Sequence, residues 1–214
     1  MIYVEANKIG VQLLEWVSGA CEYDDEGPMC MLGGGLRRQS AEVHDIEIIA
    51  MPSTSTPRPE FGKPAFKTRL DQVLATLVAD GYLRAVKGGE KYKQYAINTE
   101  QFGVARMINP FHVEFWLVTP PAQWGVDVMI RTGPGKADNN FSQWIVTPQS
   151  KGGALPIGFR VKHAAVWRVE QFDDKDNVLK GETPLPMPSE MSFFNFLGLP
   201  WIEPKDRRAM WRKK

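Results

Sequence analysis

Apolar positions along this chain follow two rhythms. Ile9, Leu13, Leu14 and Val17 recur at helical spacing and predict a helix over 6–21. The same spacing, longer and cleaner, joins Phe66, Leu70, Val73, Leu74, Leu77 and Val78 over 65–80, with Gly81 as its stop. A two-residue rhythm marks DIEIIAM (45–51), where Ile46 and Ile48 point one way and Asp45 and Glu47 the other. HVEFWLV (112–118) repeats it, with Val113, Phe115 and Leu117 alternating with Glu114 and Trp116. KYKQYAI (91–97) and the short apolar run 29–32 also read as strands, the latter ending in three glycines. YDDEGP (23–28) is a turn and STSTPRPEFGKP (53–64) a loop by composition.

Pro120-Pro121 ends the 112–118 strand and marks a boundary. Beyond it the pattern predicts a helix around 138–147, strands near 159–162 and 165–169, and a polar turn at DDKDN (173–177). A last helix lies between Ser189 as N-cap and Gly198 as C-cap. The expected fold class is α+β in two units, 1–120 and 121–214.

With 214 residues, 43% hydrophobic and 24% charged, the chain is long enough for a real core. No apolar run approaches the ~18 residues of a membrane span, and MIYVEANKIG lacks the layout of a signal peptide. The expectation is a cytoplasmic monomer that does not engage a membrane. A net charge of +1 neither demands nor excludes nucleic acid, because local patches outweigh the total. Cys21 and Cys30 are expected to be reduced, and His44, His112 and His163 are too scattered to suggest a site.

Candidate chemistry gathers in GGGLRRQSAEVHDIEII (33–49). Strand alternation puts Asp45 and Glu47 on one face, roughly 6.5–7 Å apart along the backbone. If the strand bearing Glu114 pairs beside them, three acids share one place. Clustered carboxylates repel one another unless cations intervene, and hard divalent cations take oxygen ligands. Two such ions can stabilise both ends of an in-line phosphoryl displacement. Glycines that let a backbone approach closely, next to Arg37 and Arg38, fit a triphosphate cradle. The bland alternative is a solvated strand face beside a surface loop.

Taken together, these segments resemble the DNA polymerase X family, the polymerase-beta-like nucleotidyltransferases. Gly34-Gly35-Leu36-Arg37-Arg38 followed by His44-Asp45-Ile46-Glu47 is similar to that family's Gly-Ser/Gly-x-Arg-Arg … Asp-x-Asp motif. Val113-Glu114-Phe115 resembles the strand bearing its third acid, and Arg131-Thr132-Gly133 its aromatic-Thr-Gly turn. Gly158-Phe159, Gly181 to Pro186, Ser189 to Pro200 and Glu203-Pro204-Lys205-Asp206-Arg207 resemble the family's C-terminal region, in collinear order.

The resemblance implies a nucleotidyltransferase palm, a mixed β-sheet with helices on one face, followed by a small α/β C-terminal subdomain. It implies a DNA polymerase that fills short gaps from dNTPs, or alternatively a template-independent nucleotidyltransferase. Asp45, Glu47 and Glu114 would ligate two Mg²⁺ ions. Arg38 with the backbone at Gly34 and Gly35 would bind the triphosphate. Arg131, Thr132 and Gly133 would line the sugar and base, with Asp138 or Asn139 near the nascent pair. DNA would be gripped by Arg84, Lys87, Lys91 and Lys93 with Tyr92 and Tyr95, and by a tail carrying Arg207, Arg208, Trp211, Arg212, Lys213 and Lys214.

Departures from the family pattern add expectations. Glu47 and Glu114 stand where aspartates are usual, so Mn²⁺ is expected to support faster turnover than Mg²⁺. Gly35 replaces a common serine. Ile130-Arg131 stands in place of an aromatic pair, so ribonucleotide rejection is expected to be weak. Only 32 residues precede the glycine run, too few for a lyase domain, so no lyase activity is expected.

Overall fold

The computed structural model describes residues 1–54, 66–135, 140–173 and 177–210. The fold is α+β, and the chain divides into two compact units, Met1–Thr119 and Pro120–Lys214. No helix among the described residues is long and apolar enough to cross a membrane.

The first unit opens with helix α1 (Tyr3–Ser18). This lies three residues earlier than the periodicity suggests. The chain start is pinned, with the Met1 ammonium donating to the Val43 carbonyl at 2.9 Å and Ile2 bridging Glu42. At the other end Cys21 has already left the helix to bridge Pro52. A hairpin of β1 (Tyr23–Asp24) and β2 (Gly27–Pro28) then leads into β3 (Cys30–Leu32).

The end of the glycine run forms a short helix, α2 (Gly34–Arg37). Its order comes from backbone hydrogen bonds. Gly33 N–H donates to the Glu47 carbonyl at 2.8 Å, and Arg38 N–H to the Gly34 carbonyl at 3.1 Å. Strand β4 (Ile46–Ala50) follows, then α3 (Arg69–Ala79), β5 (Leu83–Lys87), β6 (Tyr92–Ile97) and β7 (Phe111–Leu117). Thr68 and Asp71 form a capping box that fixes where α3 begins, inside the predicted 65–80.

The five-stranded sheet has order β3-β4-β7-β6-β5. Only β4 and β7 pair in parallel, so the sheet is mixed. Its core face carries Ile46, Ile48, Val113 and Phe115, all fully buried, against Ile9, Leu13 and Val17 of α1 and Leu70 and Leu74 of α3. This is the alternation read from the sequence. Its consequence is that Glu47, Glu114, Trp116, Tyr92 and Gln94 project together from the other face.

The second unit begins with α4 (Trp124–Thr132) and α5 (Phe141–Val146). Strands β8 (Phe159–Lys162), β9 (Ala165–Phe172) and β10 (Val178–Leu185) form an antiparallel sheet with β9 in the middle. Helix α6 (Glu190–Leu197) sits between the predicted caps, with the Ser189 hydroxyl accepting from Ser192 N–H and Gly198 left-handed at φ 67°. Val126, Met129, Phe141, Trp144, Val166, Phe193 and Phe194 make this unit's own core.

Candidate active site

Strand register assembles the site. Parallel pairing of β4 and β7 sets Glu47 directly opposite Glu114, and antiparallel pairing sets Glu114 opposite Gln94. Neighbouring strands lie about 4.8 Å apart, so these three residues form one row across the sheet face. Asp45, placed within the strand by the alternation, lies in the bend just before β4, and its carboxyl is within electrostatic reach of Glu114.

The charges of these groups reach one another. Burial raises the Asp45 carboxyl above the ordinary carboxylate range, and the Glu114 charge raises it further, against the pull of His44, Arg38 and His112. Arg38 is lowered by burial while Glu47 and Asp45 draw it back up. The Arg38 guanidinium is therefore within electrostatic reach of both acids.

Gly34 has a specific reason to be glycine. Its φ is +50°, a left-handed conformation. A Cβ there would lie 1.5 Å from Glu47 Oε2 and 2.6 Å from its Cδ. The Glu47 carboxylate therefore packs onto the bare Cα of Gly34. Gly35 differs, since a Cβ there would meet nothing nearer than Ser40 Oγ at 3.7 Å.

Glu114 is held by two side chains from β6. Tyr92 donates its hydroxyl to Glu114 Oε1 at 2.7 Å, and Gln94 Nε2 donates to the same oxygen at 3.0 Å. The Tyr92 phenol is raised by burial first and then by that hydrogen bond, with Glu114, Asp45 and Glu47 adding charge repulsion. Its ring packs on Trp116 with centroids 4.5 Å apart. Sequence reading placed Tyr92 among the DNA contacts and gave Gln94 no role. The available signal was the two-residue alternation of 92 and 94, which puts both on the face that carries Glu114.

Among the described residues, no three acidic, histidine or cysteine side chains converge tightly enough to count as a metal-binding group. The donor set nonetheless consists of hard carboxylate oxygens whose charges reach one another, the chemistry that suits Mg²⁺ or Mn²⁺. One Glu114 oxygen is engaged by Tyr92 and Gln94 in this arrangement.

Other predicted site residues are placed differently. Lys93 faces the helix side of the sheet and pairs with Asp71 at 2.9 Å. Tyr95 also faces that side, edge-on to Phe115 with centroids 6.0 Å apart. Neither can join Tyr92 in one surface patch, because alternate strand residues point to opposite faces. Lys91, Arg84 and Lys87 are exposed.

In the second unit Arg131 and Thr132 end α4 and Gly133 caps it. Thr132 and Gly133 are buried, and of the three only Arg131 reaches solvent, its Nε 3.2 Å from Asp127 Oδ1. Ser142 of α5 donates to the Ile130 carbonyl at 2.5 Å or to that of Gly133 at 3.0 Å, which closes this corner. Asp138 and Asn139 lie outside the described residues, as do Trp211, Arg212, Lys213 and Lys214.

Arg207 is a core residue rather than a DNA contact. Its side chain is 0% exposed. Nη1 donates to Glu190 Oε1 at 2.5 Å and Nε to the Ile202 carbonyl at 3.1 Å. The guanidinium also lies 5.3 Å from the ring centroids of Phe194 and Trp201. Arg208 is exposed.

Compared with known proteins, the chain matches no family model and no curated protein sequence.

Proposed function

We propose that this chain is a DNA-directed DNA polymerase of the X-family type, extending a primer 3′-hydroxyl from dNTPs across short gaps. The observation that carries the reading is the β4–β7 register, with Glu47 opposite Glu114, Asp45 within electrostatic reach of Glu114, and Arg38 electrostatically coupled to Asp45 and Glu47. The order and spacing of the motifs along the sequence add to it.

In this reading Asp45, Glu47 and Glu114 would hold two Mg²⁺ ions, whose charge eases ionisation of the 3′-hydroxyl and offsets charge developing on the triphosphate. Arg38 and the backbone at Gly34 and Gly35 bind the triphosphate oxygens, the guanidinium giving a planar fork of donors. Glu114 would help the proton of the 3′-hydroxyl leave. Tyr92 and Gln94 orient Glu114 by hydrogen bonding. Exposed Lys91 meets DNA phosphates.

The test is extension of an end-labelled primer across a one-nucleotide gap, each dNTP alone, with Mg²⁺ and then Mn²⁺. Addition of the complementary nucleotide only is the expected result, faster with Mn²⁺. Indiscriminate addition replaces this reading with template-independent transfer. No addition with either metal overturns nucleotidyl transfer to DNA.

A further inference from the structure

The two cysteines, nine apart in sequence, flank a hydrogen-bonded pair, Glu22 and Met29, at the foot of a hairpin. The β1–β2 hairpin pairs Tyr23 with Pro28 and Asp24 with Gly27. One step further out, Met29 N–H donates to the Glu22 carbonyl at 2.7 Å, which keeps the same register. Continued by one residue, that register would bring Cys21 beside Cys30. Each is anchored independently to the chain at the end of β4, Cys21 by its bridge to Pro52 and Cys30 by pairing with Ala50. Directly opposed antiparallel residues have Cα atoms about 4.5–5.5 Å apart. A disulfide needs about 4.4–6.8 Å. A pair so opposed falls within that range.

We propose that Cys21 and Cys30 form a redox-active dithiol, closed by a peroxide-class oxidant to a reversible disulfide that ties the end of α1 to β3. This is independent of the reaction performed by the carboxylates.

The two thiols have different surroundings. Cys21 is 3% exposed and Cys30 half-buried, so the oxidant meets Cys30 first. Proximity to Cys21 lowers the Cys30 thiol, while proximity to Cys30 followed by burial raises Cys21, whose Sγ donates to the Val17 carbonyl at 3.5 Å. Cys30 is thus the sulfur that supplies thiolate and Cys21 the one that keeps its proton.

The chemistry balances as two steps. The Cys30 thiolate attacks one peroxide oxygen and the O–O bond breaks. The other oxygen leaves as hydroxide and takes up the Cys30 proton as water, so Cys30 becomes a sulfenic acid. The Cys21 sulfur then attacks the Cys30 sulfur, and the S–S bond forms as the S–O bond breaks. The departing hydroxide carries off the Cys21 proton as a second water. Two thiols lose two electrons, and one peroxide becomes two waters.

The experiment treats the full chain with hydrogen peroxide, denatures it in maleimide and measures intact and tryptic masses. No lysine or arginine lies between Lys8 and Arg37, so both cysteines fall in one tryptic peptide. The expected product is that peptide two hydrogens lighter, with neither thiol alkylated, and dithiothreitol restores both. In Cys21→Ser a dimedone-trapped sulfenic acid accumulates at Cys30, whereas in Cys30→Ser the remaining thiol stays alkylatable. Cys21 still alkylatable in the oxidised wild type overturns the proposal. So does a dimer of doubled peptide mass, or dimedone trapping confined to Cys21.

Discussion

Replacing Gly34 with alanine tests the site where geometry is tightest. The added methyl would stand 1.5 Å from Glu47 Oε2, so the carboxylate has to retreat by about 2 Å to reach ordinary contact distance. The backbone is also left-handed there, at φ +50°, which costs an L-residue about 1–2 kcal/mol. For a chain of 214 residues each kcal/mol lowers Tm by about 2–4 °C. A misplacement of ~1 Å at a reacting centre can cost about a hundredfold in rate. Gly34→Ala is therefore expected to melt a few degrees lower and to lose about a hundredfold or more in single-nucleotide gap filling.

Gly35→Ala is the matched control. A methyl there has room, with Ser40 Oγ 3.7 Å away, and the position is helical. It should fold as well as the wild type or better by about 0.5–1 kcal/mol. Thermal unfolding and turnover are measured on both variants. Wild-type turnover in Gly34→Ala would refute the argument that the bare Cα of Gly34 is what seats Glu47.

Three further outcomes follow from named contacts. Tyr92→Phe removes one of the two donors to Glu114 Oε1 and should lower kcat while KM for dNTP stays near wild type; an unchanged kcat refutes Tyr92 as a positioning residue. Arg207→Ala removes the buried guanidinium that faces the Glu190 carboxylate and should destabilise the chain by about 3–5 kcal/mol, with Arg208→Ala near neutral, as urea unfolding would show. Asp45 has a raised carboxyl, so the folded state binds its proton more tightly than the unfolded state does. Its ionisation therefore removes stability as pH rises from below the ordinary 3.8 through the raised value. Asp45→Asn should raise Tm at neutral pH, and this gain should vanish in acid where the wild-type carboxyl is protonated; a gain that persists there contradicts the assignment.

The core faces of β4 and β7 were legible because every inward residue there is apolar and fully buried, so alternation alone gives the face. The acids were legible for the same reason, as the complement of that face. Helix α6 was legible from its caps. What periodicity missed were β5 and β10, edge strands with one buried residue and none respectively, and α4, whose buried run Gly125 to Met129 shows no alternation of apolar and exposed polar faces. The split of Lys93 and Tyr95 from Tyr92 follows from the same alternation, which a list of basic and aromatic residues ignores. Arg207 was misread because a cation near a chain end reads as surface, and only the acidic partner seventeen residues earlier in α6 and the surrounding rings justify its burial.

The central claim is that Asp45, Glu47 and Glu114 act as one metal-dependent centre. The most direct measurement is single-nucleotide incorporation on a gapped substrate by wild type, Glu47→Gln and Glu114→Gln, with Mg²⁺ and with Mn²⁺, each variant checked for unchanged unfolding. The account predicts metal-dependent incorporation by the wild type and its loss in both folded variants. Undiminished incorporation by either variant contradicts it.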